Sequence, residues 1–214
     1  MSEAFDSPSS TVDNPVELAV DRALQSVRDD AFRDVEAILD AALKAAERST
    51  PAAPRVADIV AEAGTSNQAF YRYFTGKEDL MQAVMARGLR RLHAYLEHRM
   101  SKVTEPERQI EVWSRGLLTQ ATNEVAARQG AAVKQILADT HPGSDSRTSE
   151  ATNALRELLL EPLRQLGSTQ PEFDASVIHE ATMGTMSRHL QARTAPSPDE
   201  CDHLVSFCLR GVSR

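Results

Sequence analysis

The chain has 214 residues, 41% hydrophobic and 26% charged, with a formal net charge of −7, the profile of a soluble globular protein long enough to bury a sizeable core. That acidity excludes a general nucleic-acid coat but not a local cationic face, because phosphate contacts depend on where the cations lie. The start MSEAFDSPSSTVDNP lacks the basic and apolar parts of a secretory signal, and no apolar run nears the ~20 residues of a membrane helix. A cytoplasmic protein with no membrane partner is expected.

In chain order, residues 1–14 are polar and carry Pro and Ser, which predicts disorder. Val16, Val20, Leu24 and Val27 recur at helical spacing, so an N-terminal arm over 1–30 is expected to hold an extra helix. Its residues do not separate a packing role from a DNA-flanking one. Val35, Ile38, Leu39, Ala42, Leu43 and Ala46 form the next stripe and predict a helix over 31–48, closed by the break at 49–54. A short helix over 56–63 stops at Gly64, suited to a left-handed C-terminal cap. Another short helix follows Ser66 as N-cap, and Thr75 opens a long one reaching Met100. Further helices are expected at 105–121, 124–139, 150–166, 172–192 and 198–211, with a long polar connection over 141–149. Capping boxes beginning at Thr75, Thr104, Thr169 and Ser197 support several of these starts. No segment alternates like a strand, so the fold class is all-α.

Aromatic residues are only 5% of the chain, yet Phe70, Tyr71, Tyr73 and Phe74 crowd into five positions. At ~100° per residue, Phe70 and Phe74 share one side of the helix, with Asn67 and Tyr71 at its edge. Gln68 and Arg72 point the opposite way, flanked by Ala69 and Tyr73. No acidic residue lies between Gly64 and Lys77, so the outer surface is locally positive. A short helix, a Gly turn and a second helix with a donor-rich outer face meet the needs of a helix-turn-helix. From the turn alone, a plain helical hairpin with half-buried tyrosines is the more economical account.

The wider pattern is more specific. Ile38-Leu39-Asp40-Ala41-Ala42, then Val56 through Gly64, then Ser66, Phe70-Tyr71-Arg72-Tyr73-Phe74 and Lys77-Glu78-Asp79-Leu80 closely resemble the N-terminal domain of TetR-family repressors. The resemblance implies an N-terminal three-helix helix-turn-helix DNA-binding domain over 31–91 and a C-terminal helical ligand-binding and dimerisation domain over 92–214. It implies that Asn67, Gln68 and Ala69 read bases: Asn and Gln suit the adenine edge and Ala a thymine methyl. Arg55, Ser66, Tyr71, Arg72, Tyr73 and Lys77 are implied as contacts to the DNA backbone. Two positions depart from the family pattern. Arg55 stands where the family has Thr or Ser ahead of the second helix, and Tyr73 where it often has His.

The C-terminal half carries no diagnostic motif. Ile110, Trp113, Leu117 and Gln120 line one helix face. With Leu137, Leu159, Phe173, Met183 and Met186 they are expected around an apolar cavity for a small lipophilic effector, with His179 and Arg188 as candidate polar anchors. Plain core packing accounts for the same residues. The family's last two long helices form a four-helix interface between subunits. That implies interface roles for the stripe Cys201, Leu204, Val205, Cys208 and Val212, beside Phe207, and for the small residues Ala181, Gly184 and Thr185. An intramolecular core is the competing account. Cys201 and Cys208, seven apart on a helix, stand roughly 10 Å apart by helical rise, which excludes a disulfide between them.

The expected function is a DNA-binding, ligand-responsive repressor that binds a palindromic double-stranded operator as a homodimer. A DNA-associated architectural or cell-division factor and an all-α enzyme are the alternatives. The sequence shows no metal-ligand cluster, phosphate loop or Ser/His/Asp signature, so neither catalysis nor a cofactor is expected.

Overall fold

The computed structural model describes residues 14–48, 54–122 and 146–212. The expectations for residues 1–13, for a helix over 124–139 and for Leu137 lie outside them. All the regular structure among the described residues is helical.

Helix α1 (Pro15–Arg48) begins where Asn14 Oδ1 accepts the Val16 amide at 3.1 Å. The extra helix of the arm and the helix expected over 31–48 are one element, because no Gly or Pro interrupts residues 16–48. Its two halves differ. Val16, Val20, Leu24, Val27 and Phe32 are exposed, whereas Ile38, Leu39, Ala41, Ala42, Ala45 and Ala46 are buried.

Helix α2 (Val56–Glu62) packs on α1 and on the short α3 (Asn67–Tyr73). Arg55 has no side-chain acceptor to cap α2; instead its own amide donates to Asp58 Oδ2 at 3.3 Å. Gly64 ends the hairpin's first arm at φ +64°, a conformation that costs glycine little. The Thr65 amide then reaches back to the Val60 carbonyl at 3.1 Å. Helix α4 (Lys77–Met100) starts two residues after Thr75. The amide and hydroxyl of Thr75 both bond Asp79 Oδ2, at 2.8 and 3.2 Å, so the partner is Asp79 rather than the Glu78 of the expected box. One core joins Ile38, Leu39 and Ala42 of α1, Ile59 of α2, Phe70 and Phe74, and Leu80, Met81 and Val84 of α4.

The far end of α4 enters a second core. Leu96 and Met100 meet Ile110, Trp113 and Leu117 of α5 (Pro106–Thr122), Leu155 of α6 (Ser146–Glu157), Leu159, and Leu163 of α7 (Leu160–Gln165). Ala175 and Ile178 of α8 (Pro171–Ala192) and Cys208 of α9 (Pro198–Gly211) complete it. The single helix expected over 150–166 is two helices, and α6 starts earlier, inside the expected polar connection. The break follows from Pro162, which has no amide to give and whose ring collides with the carbonyl four residues back. Pro162 is accommodated in the first turn of α7 instead. Gly116 lets α5 approach α4, since a Cβ there would overlap Leu96 Cδ2. Of the remaining expected boxes, Ser197 caps α9 by accepting the Glu200 amide at 3.1 Å. At α8, Ser168 rather than Thr169 holds the start, accepting the Gln170 amide at 3.1 Å and donating to Asp174 Oδ2 at 2.5 Å.

Candidate nucleic-acid interface

Helix α3 has seven residues, of which only Phe70 is fully buried. Ser66 Oγ accepts the Ala69 amide at 3.1 Å, which fixes the helix start directly beside the turn. Phe70 holds the helix to its core, with its ring 5.1 Å from Tyr71 edge-on and 5.7 Å from Phe74. Phe74 has already left the helix, at φ −129° and ψ 134°, so it reaches the core from an extended residue rather than from the same helical face. Asn67, Gln68, Tyr71 and Arg72 are exposed, Tyr71 by 60%, and Ala69 is half-buried. The exposed face therefore presents two amides, a phenol and a guanidinium with no carboxylate on the helix.

Three more expected contacts sit around this face. Ser66 and Arg55 are exposed, and Lys77, half-buried, opens α4, where the helix N-terminus adds positive potential. Tyr73 differs. It is half-buried against the first core, and its hydroxyl donates to Asp34 Oδ2 of α1 at 3.2 Å. The Arg72 guanidinium lies 5.9 Å from the Tyr73 ring centre. The Tyr73 phenol, expected on the DNA backbone, is here engaged in an α1–α3 tie. The helical wheel placed it on the flank, but the depth at which Asp34 waits is set by α1, far away in sequence.

Elsewhere the surroundings of Glu62 are cationic. Arg48 Nη2 bonds it at 2.8 Å, and with Lys44 nearby its carboxyl is held below the usual range. The bond ties α1 to the end of α2, behind the turn.

The residues expected around an effector divide. Leu117, Met183 and Met186 line a half-open cavity of about 390 Å³, together with Gln120, within the range of small-molecule sites. Ile110, Trp113 and Leu159 lie wholly within the second core and away from that wall. Trp113 Nε1 donates to the Leu155 carbonyl at 2.9 Å, a bond that seals α5 to α6. Phe173 is 65% exposed at the start of α8. His179 is buried beside Trp113, with ring centres 6.1 Å apart, and burial pushes its pKa down. Arg188 pairs with Glu200, which also receives His189 at 2.9 Å; this cluster ties α8 to α9 and does not face the cavity. Sequence reasoning missed the α1 and α4 walls, where Leu43, Val84, Arg87, Gly88 and Arg91 lie.

The expected interface stripe is also turned. Cys208 belongs to the second core, Leu204 and Val212 pack against it, and Val205 is buried. Burial pushes the thiols of Cys201 and Cys208 up, and both are free. Ala181 leans on the same core, whereas Gly184 is exposed, with open space beyond it, and Thr185 is half-buried. The outward large apolar side chains of these two helices are instead Phe173, Val177 and Phe207.

Residues 38–84 match the family model described as bacterial regulatory proteins, tetR family. Solved structures share the fold over most of both chains. The fatty acid degradation regulator FadR from Bacillus halodurans is 19% identical, over 83% of this chain and 99% of that one, at a TM-score of 0.57. A putative TetR-family transcriptional regulator from Mesorhizobium loti is 17% identical over 84% and 96%, at 0.64. NalD, the secondary repressor of the MexAB-OprM multidrug efflux pump in Pseudomonas aeruginosa, is 20% identical over 86% and 98%, at 0.57. At such identities the likeness is one of fold: an N-terminal helix-turn-helix domain and a C-terminal helical domain. A comparison with curated proteins gives no match.

Proposed function

We propose that this chain, which carries the DNA-binding region of the tetR family of bacterial regulatory proteins over residues 38–84, is a ligand-responsive repressor. It binds a palindromic operator as a homodimer and is released by a small lipophilic effector. The observation that carries the reading is α3 itself: a short helix anchored by one buried ring, with Asn67, Gln68, Tyr71 and Arg72 all turned outward. Asn67 and Gln68 read base edges with Ala69 beside them. Arg55, Ser66, Tyr71, Arg72 and Lys77 hold the phosphates. One such helix reads only a few base pairs, so two copies on half-sites about one helical turn apart are required for specificity. The outward Val177 and Phe207 offer an apolar face for that pairing. The effector occupies the cavity lined by Leu117, Met183 and Met186 and acts only as far as it favours one conformation over the other.

The test is selection of bound duplexes from a random pool, followed by Gln68→Ala and Lys77→Ala on the selected sequence. Gln68→Ala is expected to lose ~1–3 kcal/mol of discrimination at one base pair. Lys77→Ala is expected to weaken every sequence and lower the salt slope by about one. Selection of no common sequence, or wild-type behaviour in both variants, would overturn the assignment of α3.

A further inference from the structure

The cavity has an electrostatic character that a purely lipophilic effector leaves unused. Its lining is mostly aliphatic and thioether, from Leu43, Val84, Leu92, Met183, Met186 and Leu190 among others. The charged residues among the described lining are both arginines, Arg87 and Arg91, one turn apart on α4. No carboxylate is part of that lining.

Arg87 is an unusual wall residue, being only 6% exposed. Its Nη1 donates to Glu36 Oε2 at 2.8 Å, and its Nη2 lies 2.8 Å from Asp40 Oδ1. That second approach is close enough for an ion pair but too poorly aligned for a hydrogen bond, so Nη2 is buried with its N–H groups unused. Arg91 Nη2 stands 3.6 Å from Glu36, an attraction without a hydrogen bond. Glu36 and Asp40 lie on α1, on the side chains' solvent-facing edge, about half exposed. The wall of the cavity is therefore also the electrostatic joint between α4 and α1, and α1 is the helix on which α3 rests through Tyr73 and Asp34.

We propose that the cavity binds an apolar chain ending in a carboxylate, and that this headgroup takes Arg87 and Arg91 away from Glu36 and Asp40. The inference rests on the reading of the cavity as the effector site. A carboxylate in the plane of a guanidinium accepts two parallel hydrogen bonds, which the Asp40 geometry fails to provide. Glu36 and Asp40 return to water at little cost because they are already half solvated, while the tail gains by leaving water for the aliphatic wall. Arg87 remains paired throughout, so no buried charge is stranded. A neutral alcohol of the same length gains the tail contacts but cannot replace the protein's carboxylates, and a cationic amphiphile meets two like charges. Anion binding thus loosens α1 from α4, and operator affinity falls with it.

The experiment uses the full chain with decanoate, 1-decanol and decyltrimethylammonium, by calorimetric titration and by release from the selected duplex. Decanoate is expected to bind at least tenfold more tightly than decanol and to be the best releaser. By reciprocity, saturating duplex weakens decanoate binding by the same factor that decanoate weakens the duplex. The double variant Glu36→Gln with Asp40→Asn removes the competitors and is expected to bind decanoate several-fold more tightly. Arg91→Gln, at an exposed position that cannot unfold the core, is expected to lose most of the preference for decanoate over decanol. Equal binding of decanoate and decanol, or unchanged or weaker decanoate binding by the double variant, overturns this inference and leaves the effector site standing. Failure of all three compounds to bind overturns both.

Discussion

Helices α3 and α5 both mix aromatic, amide and guanidinium side chains, and the structure uses them in opposite ways. In α3, one residue of seven is fully buried and the polar groups project outward. In α5, Ile110, Trp113, Ser114, Leu117 and Leu118 are all buried, and the indole N–H ends on the Leu155 carbonyl. A polar or aromatic residue on a helix held by a single anchor is free to meet a partner. The same residue on a helix enclosed by α4, α7, α8 and α9 serves the core, and only the part of that face that reaches a cavity is open to a ligand. The contrast predicts that mutations in α5 act on stability and mutations in α3 act on DNA.

The largest expected effect lies on the α5 side. Trp113→Ala removes a fully buried ring and leaves the Leu155 carbonyl without its donor. It is expected to cost ~3–5 kcal/mol in urea unfolding followed by circular dichroism. Gln68→Ala is expected to leave the same unfolding curve in place. A Trp113→Ala loss under ~1 kcal/mol would break the comparison, because α5 would then not be enclosed.

A smaller effect is expected at the outer layer, where α8 and α9 show both behaviours at once. Phe207 is 60% exposed, one residue before the buried Cys208. Phe207→Glu places a charge on the proposed subunit interface and is expected to weaken dimerisation by about 2 kcal/mol, a factor of roughly thirty, in sedimentation equilibrium. Unfolding of the monomer is expected to change little. Cys208→Ser should show the reverse, a loss of stability with no change in association. If Phe207→Glu dimerises like the wild type, the pairing face lies elsewhere.

These helices also show how far the sequence could be read. The turn region is local: Gly64, Ser66 and Phe70 lie within seven positions, so cap, turn and anchor are visible as a pattern. The outward direction of Gln68 and Arg72 follows from the same spacing. The stripe on α9 was visible too, but periodicity shows only that a face is apolar, not whether the same chain or a second copy covers it. Here α5 and α8 cover it. The cavity was the least legible part, because Leu43, Arg87, Leu117 and Met186 come from four helices and share no local spacing. The break after α6 was readable from Pro162, whose missing amide outweighs the helical periodicity on either side.

The smallest expected effect is the sharpest test of the contrast, since it falls on a residue of α3 that behaves like a residue of α5. Tyr73 lies among outward-facing neighbours, yet its ring packs on the first core and its hydroxyl bonds Asp34 at 3.2 Å. Tyr73→Phe keeps the ring and deletes only that bond to a carboxylate that is itself partly solvated. The expected cost is at most about 1 kcal/mol of stability. A phenol on a DNA phosphate would behave differently, since its removal would lower operator affinity across all sequences. Tyr71→Phe, at the exposed ring next door, is the matched control and is expected to lower affinity without touching the unfolding midpoint. If Tyr73→Phe instead costs operator affinity and spares stability, Asp34 releases the phenol when DNA arrives. The division between anchoring and reading residues on α3 would then depend on the bound state rather than on burial alone.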